Sequence, residues 1–407
     1  MTRLSDKLKA LGVELGASSL QAKSENKAAI TKLPDMVEGG YTHNDQVFET
    51  LAVFDAHYRH GDFKLWLESY NRLKGLIHLD FNLQDLVFID AETTGLSSGT
   101  GTFAFMLGLG WFDDHNAFHV KQIFLPEPAC EHEYLCALTE ELARFNTIVS
   151  FNGKSFDIPL VKTRYMLHSI PSPFGDMAHI DLLHLARRVW RYRLASRTLG
   201  ELENHILHFT RGEVELPGWM APKLYLDYLH TRDAAPMKGM FYHNQMDIVS
   251  LAALLCVLEK MAGLETESPA ELFALAEYLE NSKDIPGAIQ AYHQTIAAGE
   301  NTNFATQARY QLGRLHRKAG DWSNAISCWM QAAAASPEAC IELAKYYEHQ
   351  TRDYNEAERW CTFALSLNNR EMIVEEMEYR LTRIIRKRNA SIQSAKESAN
   401  TGNQGEP

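Results

Sequence analysis

The stretch Asp85-Leu-Val-Phe-Ile-Asp-Ala-Glu-Thr-Thr-Gly-Leu96 decides the fold. Its first half is a short apolar run of the kind that forms a buried strand, and the run ends at Asp90. Side chains alternate along a strand, so Asp90 and Glu92 face the same side. Two carboxylates held this close repel each other unless a cation lies between them. The stretch therefore predicts a buried strand that ends in a site for a hard cation such as Mg²⁺ or Mn²⁺.

The turn after this strand, Thr93-Thr-Gly-Leu96, carries hydroxyl and backbone groups that we expect to meet the terminal nucleotide of a substrate. Thr93, Thr94, Gly95 and Leu96 are therefore predicted substrate contacts. An acidic pair that merely ends a strand is common, and the complete Asp-x-Glu-Thr-Thr-Gly-Leu string is what favours a site.

The segments that follow predict an α/β domain. Phe103–Phe112 and Ala117–Leu125 are apolar runs on either side of a short polar turn, which is typical of an antiparallel hairpin. With the strand before them they make three strands, and the chain then alternates helix, strand and helix. This order resembles a ribonuclease H-like core, a mixed sheet flanked by helices. The later elements are predicted at residues 131–145, 147–151 and 158–168.

A second acidic motif is Phe151-Asn-Gly-Lys-Ser-Phe-Asp157, between a predicted strand and a predicted helix. Asp157 falls at the helix N terminus, where a carboxylate is favoured by the helix dipole and also serves as an N-cap. Both roles are compatible. Asn152 and Lys154 are predicted to contact sugar, base or phosphate, although a solvated lysine is the commoner outcome. Asp181 is a weaker candidate for a supporting role.

The third motif is Tyr242-His-Asn-Gln-Met-Asp247, within a predicted helix. His243 and Asp247 are four residues apart and share a helix face. A pair of this type is more often a surface ion pair than a site. Its position after two acidic motifs favours a site here.

The three motifs together resemble the DEDD exonuclease superfamily over roughly residues 80–262. The chain more closely resembles bacterial ribonuclease H-like proteins with a C-terminal repeat array, the YprB-like proteins. The resemblance implies a 3′→5′ exonuclease that hydrolyses DNA or RNA with two divalent ions, Mg²⁺ or Mn²⁺. It also implies that four carboxylates bind these ions. They are Asp90, Glu92, Asp157 and Asp247.

The residue that would act as general base is less clearly specified. The histidine subclass of the superfamily places a histidine five residues before the last aspartate, and the tyrosine subclass places a tyrosine four before it. This chain has His243 four before and Tyr242 five before. We favour His243, whose ordinary pKa of about 6.5 suits the role, and Tyr242 is the alternative.

Residues 187–197 are rich in arginine. Arg187 and Arg191 share a helix face and are predicted to grip phosphate, with Trp190 and Tyr192 as surfaces on which bases stack. An equally weighted alternative is a basic helix face that packs on the neighbouring domain.

From about residue 268 the pattern changes to helical repeats. Three similar segments start at Asp284, Asp321 and Asp353, each after a helix. Their spacing is close to the period of about 34 residues of tetratricopeptide repeats. An array of this kind offers a concave surface, so a protein partner is predicted for it.

The length of 407 residues favours two or three domains. We predict a partly disordered N-terminal segment (1–79), the ribonuclease H-like domain (80–262), tetratricopeptide-like repeats (268–384) and a disordered tail (385–407). The six cysteines form no CxxC pair, which is typical of free thiols in a reducing cytoplasm. No apolar signal core and no apolar span of about 20 residues is found, so a cytoplasmic protein away from membranes is expected.

Two functions remain open at this point. The net charge of −12 argues against binding of nucleic acid by bulk positive charge, but it is compatible with an enzyme that grips a strand locally, and we expect that strand to be single. The first function is therefore an exonuclease, acting on a polymer or on very short oligonucleotides. The second is an adaptor whose nuclease-like core binds nucleic acid or protein with little or no hydrolysis.

Overall fold

The structure, a computed structural model, describes residues 31–95, 101–212, 216–367 and 371–402. The N-terminal part is a seven-stranded mixed sheet flanked by helices, and the C-terminal part is helical. This confirms the predicted class, an α/β ribonuclease H-like core followed by an all-α region.

The sheet has the strand order β1-β2-β7-β6-β5-β8-β9. Neighbours from β1 to β5 are antiparallel, whereas β5, β8 and β9 are parallel. The predicted hairpin is confirmed as β6 and β7. The strands are β1 (Gly39–Thr42), β2 (Val47–Phe54), β3 (Arg59–His60), β4 (Phe63–Lys64), β5 (Leu86–Thr93), β6 (Ala104–Phe112), β7 (Phe118–Phe124), β8 (Thr147–Ser150) and β9 (Ala178–Asp181), of which β3 and β4 form a separate ribbon.

Strand β5 lies between two cores, which explains its continuous apolar run. Val87 and Ile89 belong to the core on one face of the sheet, while Leu86 and Phe88 belong to the core on the other. A strand covered on both faces has no polar side until it leaves the core. The helices of this part are α1 (Leu33–Met36), α2 (Asn71–Ile77), α3 (Glu131–Leu142), α4 (Asp157–Leu167), α5 (Leu182–Val189), α6 (Leu199–Leu202), α7 (Ala221–Thr231) and α8 (Met237–Ala262).

Helix α8 lies close against the sheet because β6 carries two glycines beneath it. A Cβ atom at Gly108 would lie 2.4 Å from Oδ1 of Asn244, and one at Gly110 would lie 2.5 Å from Cγ2 of Ile248. Gly108 is also the register partner of Asp90 on β5. The two glycines therefore bring α8 within reach of the acidic end of β5.

The C-terminal part consists of successive helices, each of which contacts the next. Asp284 and Asp321, which start two of the similar sequence segments, are N-caps that accept hydrogen bonds from the backbone N–H groups of Gly287 and Asn324. The helices are α9 (Pro269–Asn281), α10 (Ile285–Ala298), α11 (Asn303–Lys318), α12 (Trp322–Ala332), α13 (Pro337–Tyr346), α14 (Tyr354–Leu367) and α15 (Glu371–Gly402).

Both predicted segments of disorder differ from the structure where it describes them. Strands β1 and β2 extend the main sheet and α2 packs on α8, so the α/β domain begins well before residue 80. At the other end, α15 continues past residue 385 to Gly402. Buried Glu348 holds this helix through Arg380, Arg383 and Lys387, ion pairs that composition does not reveal. Residues 1–30 and 403–407 lie outside the described residues.

We expect Gly108→Val to lower the free energy of unfolding by about 1–3 kcal/mol, because the added side chain forces α8 away from the sheet. Chemical denaturation measures this. Gly40→Val on β1 is the matched control, since a Cβ at Gly40 meets open space, and its change should stay within about 0.5 kcal/mol. Equal effects of the two substitutions would contradict the close approach of α8.

Candidate active site

A cavity of about 600 Å³ lies at the end of β5 where its apolar run stops. Strand β5 supplies two carboxylates to it, the first turn of α4 supplies one, and α8 supplies a fourth together with a histidine. All five residues that were predicted to be catalytic therefore line one cavity. They are Asp90, Glu92, Asp157, His243 and Asp247.

Burial and neighbouring carboxylates raise the pKa of three of these acids, Asp90, Glu92 and Asp157. Burial raises the pKa of Asp90 well above its usual range, and the charges of Asp247, Glu92 and Asp157 raise it further. Burial also raises the pKa of Glu92 strongly, with smaller contributions from Asp247 and Asp157. The pKa of Asp157 rises to about 7, first through burial and then through the charge of Asp181. Such mutual effects require the four acids to be close neighbours in a poorly hydrated site.

Asn244, which was not predicted as a site residue from the sequence, fixes the position of Asp90. Its Nδ2 atom donates to Oδ2 of Asp90 at 3.0 Å, and this bond favours the charged carboxylate. Its Oδ1 atom accepts from Nε2 of Gln122 at 3.0 Å, and Gln122 in turn accepts from the hydroxyl of Thr50. A chain of hydrogen bonds thus runs from β2 across β7 and α8 to the first carboxylate.

Asp181 holds the turn that carries Asp157. Its carboxylate accepts from the backbone N–H groups of Asn152 at 2.8 Å and Lys154 at 3.1 Å. Asn152 lies in the left-handed region with φ of 68°, a conformation that this hydrogen bond helps to hold. Asp181 also caps α5 by accepting from the N–H of Leu183. Its predicted supporting role therefore corresponds to positioning the turn before Asp157.

Arg211 is a second residue that the sequence reading missed. Its guanidinium forms an ion pair with Asp247 and a two-pronged pair with Glu203, with Nε–Oε2 and Nη2–Oε1 distances of 2.8 and 2.6 Å. These acids raise the pKa of Arg211 above its ordinary value, and burial opposes them. A fixed positive charge thus lies beside the fourth carboxylate.

His243 and Tyr242 differ in where their side chains lie. His243 lines the cavity, with Nε2 3.5 Å from Oδ2 of Asp247. Its Nδ1 faces Nη1 of Arg211 at 2.9 Å; since arginine only donates, Nδ1 accepts and the ring proton resides on Nε2. The hydroxyl of Tyr242 instead accepts from the backbone N–H of Gly212, outside the cavity lining. The geometry favours His243 over Tyr242 as the residue that faces a substrate.

The span from β5 to α8, which carries all of these acids, matches a family model of the RNase H superfamily over residues 87–258. The chain belongs to this superfamily. It is also similar to the uncharacterized protein YprB of Bacillus subtilis (strain 168), with 32% identity over 342 residues and 79% of each chain covered. That match extends beyond the span of the superfamily model.

The remaining predicted substrate contacts differ in whether they line the cavity. Thr93, Gly95 and Asn152 line the cavity. The hydroxyl of Thr93 donates to the carbonyl of Gly95, and that of Thr94 accepts from the N–H of Phe103, so both hydroxyls hold the turn. Lys154 is exposed outside the cavity lining. Leu96 lies outside the described residues.

The two arginines that were predicted to grip phosphate, Arg187 and Arg191, do not line the cavity. Arg191 forms an ion pair with Glu277 on α9, and the neighbouring Tyr192 donates a hydrogen bond to the same carboxylate. Trp190 is buried, and Arg187 is exposed but does not line the cavity. The contacts of Arg191 and Tyr192 with Glu277 agree with the alternative prediction, a basic face that packs on the neighbouring helical region.

The donor set of the cavity fits divalent cations, which prefer carboxylate oxygens. Within the described residues, however, no group of three His, Cys, Asp or Glu side chains is arranged so that it could hold a metal ion as it stands. Arg211 is the cation that offsets the charge of Asp247 in this arrangement. Among the described helices, none is both long and apolar enough to cross a membrane.

We expect the metal-free protein to lose stability as pH rises through the range between the ordinary aspartate pKa and about 7. In that range folded Asp157 keeps a proton that the unfolded chain releases. Asp157→Asn removes this effect, so its melting temperature should exceed that of wild type near neutral pH and converge with it in acid. Thermal unfolding in a chelator over this range measures the difference.

The control is Asp114→Asn, which changes the same charge in an exposed turn. Its melting curve should follow that of wild type at every pH. If the Asp157→Asn curve did the same, Asp157 would not be held in a poorly hydrated acidic cluster.

Proposed function

We propose that this protein is a metal-dependent 3′→5′ exonuclease that hydrolyses phosphodiester bonds of single-stranded DNA or RNA. One observation carries the proposal. Four carboxylates from three distant segments line one cavity, where burial and neighbouring charges raise the pKa of Asp90, Glu92 and Asp157. Membership of the RNase H superfamily agrees with a nuclease.

Asp90, Glu92, Asp157 and Asp247 would hold two divalent ions, Mg²⁺ or Mn²⁺. When bound, such ions supply an activated water and stabilise charge on the leaving 3′-oxygen. The chain's own contribution is to hold the acids in place before the substrate arrives. Asn244 fixes Asp90 through a hydrogen bond and Asp181 fixes the turn before Asp157. Thr93, Gly95 and Asn152 would contact the terminal nucleotide.

His243 would take the proton from the attacking water. In the present arrangement Nδ1 accepts from Arg211 and Nε2 carries the ring proton, so neither nitrogen is available as a base. His243 gains a free lone pair only when Arg211 leaves Nδ1 or the ring turns over. Release of Arg211 from Asp247 would therefore prepare both the fourth carboxylate and the base.

The helical region would bind a protein partner through tetratricopeptide-like repeats. Individual contacts within the helical region support the repeat arrangement. The similar segments begin with aspartates that cap helices, and Gly313 on α11 lets Trp329 on α12 pack against it, since a Cβ there would lie 2.3 Å from Nε1. A small residue at this crossing lets the two helices of one repeat pack closely.

One observation favours the alternative of an adaptor that binds nucleic acid without hydrolysis. Arg211 already neutralises Asp247, and Glu203 anchors it from the other side. An anchored guanidinium occupies Asp247, one of the four carboxylates that a metal pair would need. Hydrolysis decides between the two functions.

We expect Mn²⁺-dependent shortening of oligonucleotides from the 3′ end, and a loss of about a hundredfold or more in rate for Asp90→Ala. The measurement is gel-resolved hydrolysis of single- and double-stranded DNA and RNA that carry a label at one chosen end. Asp114→Ala, in an exposed turn, is the matched control and should act as wild type. Activity that survives in Asp90→Ala would refute the site, and binding of every substrate without hydrolysis would favour the adaptor.

A further inference from the structure

The helical region contains a cavity of its own, with a volume of about 350 Å³. None of the residues that line it lines the cavity of the four carboxylates, which we call the acidic cavity. The end of α11, the start of α12, the end of α13 and the first half of α15 surround it. We call it the basic cavity. Its lining includes Arg317, Trp322, Lys345, Tyr346, Arg380 and Arg383.

The ion pairs around the basic cavity contain more positive than negative charge. The buried carboxylate of Glu348 accepts hydrogen bonds at 2.7–3.0 Å from three cations of α15, which are Arg380, Arg383 and Lys387. Glu342 pairs with two further cations, Arg317 and Lys345, and Glu376 lies 3.5 Å from Arg380. Five cations thus face three carboxylates in this network, although the chain as a whole has a net charge of −12.

The hydrogen bonds of this network do not use all of its donors. Burial raises the pKa of Glu348, but its hydrogen bonds to Arg383 and Lys387 outweigh burial and hold the pKa at about 2, so this carboxylate is ionised. The guanidinium of Arg380 has more donors than acceptors around it. Its Nε atom is buried and has no hydrogen-bond partner among the described residues. The wall of the cavity is therefore short of acceptors, which an anionic ligand supplies.

Aromatic rings form another wall of the basic cavity. Trp322 at the start of α12 and Tyr346 at the end of α13 have ring centroids 5.3 Å apart, and both are half-buried. Rings of this kind offer faces on which a planar ligand can stack. Glu342 and Gln350 add a carboxylate and an amide to the same lining. The cavity thus combines excess cations with flat apolar surface and with groups that can bind hydroxyls or a base edge.

We propose that the basic cavity binds a nucleoside monophosphate, with its base against Trp322 and Tyr346. A phosphate monoester carries a charge of about −1.5 to −2 at neutral pH, which matches the excess of two cations better than a single carboxylate does. Arginine also binds phosphate through paired N–H groups. The cations that line the cavity and would contact the phosphate are Arg317, Lys345 and Arg380.

The surface between the two cavities favours a mononucleotide over a longer strand. Helices α9 and α10, which connect the α/β domain to α11, contain three glutamates and no lysine or arginine. A strand that ran from one cavity to the other would cross these helices without cations for its phosphates. A mononucleotide needs no such path. The inference does not rest on the proposed hydrolysis, although hydrolysis of that kind would release this class of molecule.

Calorimetric titration of the full-length protein with AMP, in a chelator that keeps metal ions out of the acidic cavity, tests the proposal. AMP should bind, and adenosine and inorganic phosphate should each bind at least about tenfold more weakly, because base and phosphate both contribute. A short peptide of glutamates should also bind more weakly than AMP does.

Substitutions locate the ligand. Arg317→Gln should weaken AMP binding by about tenfold, and the side chain of Arg317 is 37% exposed, so the fold should remain intact. Arg359→Gln, on α14 outside the cavity lining, is the matched control and should bind as wild type. Trp322→Leu should weaken the binding of AMP but not that of phosphate, a pattern that a general loss of structure does not produce. Asp90→Ala, altered in the acidic cavity, should keep the affinity of wild type for AMP.

Three results would overturn the proposal. Wild type could give no binding of AMP. AMP binding could be lost in Asp90→Ala and kept in Arg317→Gln, which would place the ligand in the acidic cavity. Phosphate or the glutamate peptide could bind as tightly as AMP, which would make the basic cavity a general anion site. Hydrolysis of labelled strands tests the exonuclease separately, so either proposal can fail while the other stands.

Discussion

Mutual repulsion among buried carboxylates is the constraint on which the rest of this structure depends. The four acids share a poorly hydrated cavity, where each negative charge raises the free energy needed to ionise a neighbouring carboxyl group. They are Asp90, Glu92, Asp157 and Asp247. Left alone, such a cluster would weaken the fold at neutral pH. The surrounding residues offset this repulsion, and the same residues fix the positions of the acids.

Different groups offset the repulsion at different acids. Asn244 donates to Asp90, and Arg211 places a full positive charge on Asp247. Arg211 in turn needs Glu203, which accepts hydrogen bonds from both the guanidinium and the hydroxyl of Ser250. A cation that binds at the cluster must therefore compete with the guanidinium for Asp247.

The position of the cluster follows from packing in the sheet. The apolar residues of β5 fix its central place between two cores, and the chain can turn polar only where the strand leaves them. The glycines of β6 then let α8 approach, so that residues far apart in sequence meet at that edge. The approach of α8 to the acidic cluster thus depends on two positions that carry no side chain, Gly108 and Gly110.

The sequence predicts the parts of this arrangement that local patterns encode. Hydrophobic patterning predicts strand β5 and the hairpin of β6 and β7. The motif around the third acidic segment predicts that His243 and Asp247 share a helix face. The role of Arg211 could not be predicted, because its segment shows no periodic pattern and its partners Glu203 and Asp247 are brought to it only by tertiary contacts. Strands β1 and β2 were not predicted because much of their length is exposed, so that they show no continuous apolar pattern. Helix α15 was not predicted because ion pairs to Glu348, rather than an apolar face alone, hold it. The position of Trp219 at the cavity could not be predicted, because no local pattern in the sequence indicates that this side chain is exposed there.

Anomalous diffraction from crystals grown with Mn²⁺ can locate metal ions bound by the four carboxylates. We expect manganese peaks about 2.0–2.2 Å from carboxylate oxygens of Asp90 and Asp247, with the guanidinium of Arg211 no longer bound to Asp247. A cavity without manganese at saturating Mn²⁺, with Arg211 still paired to Asp247, would contradict this expectation.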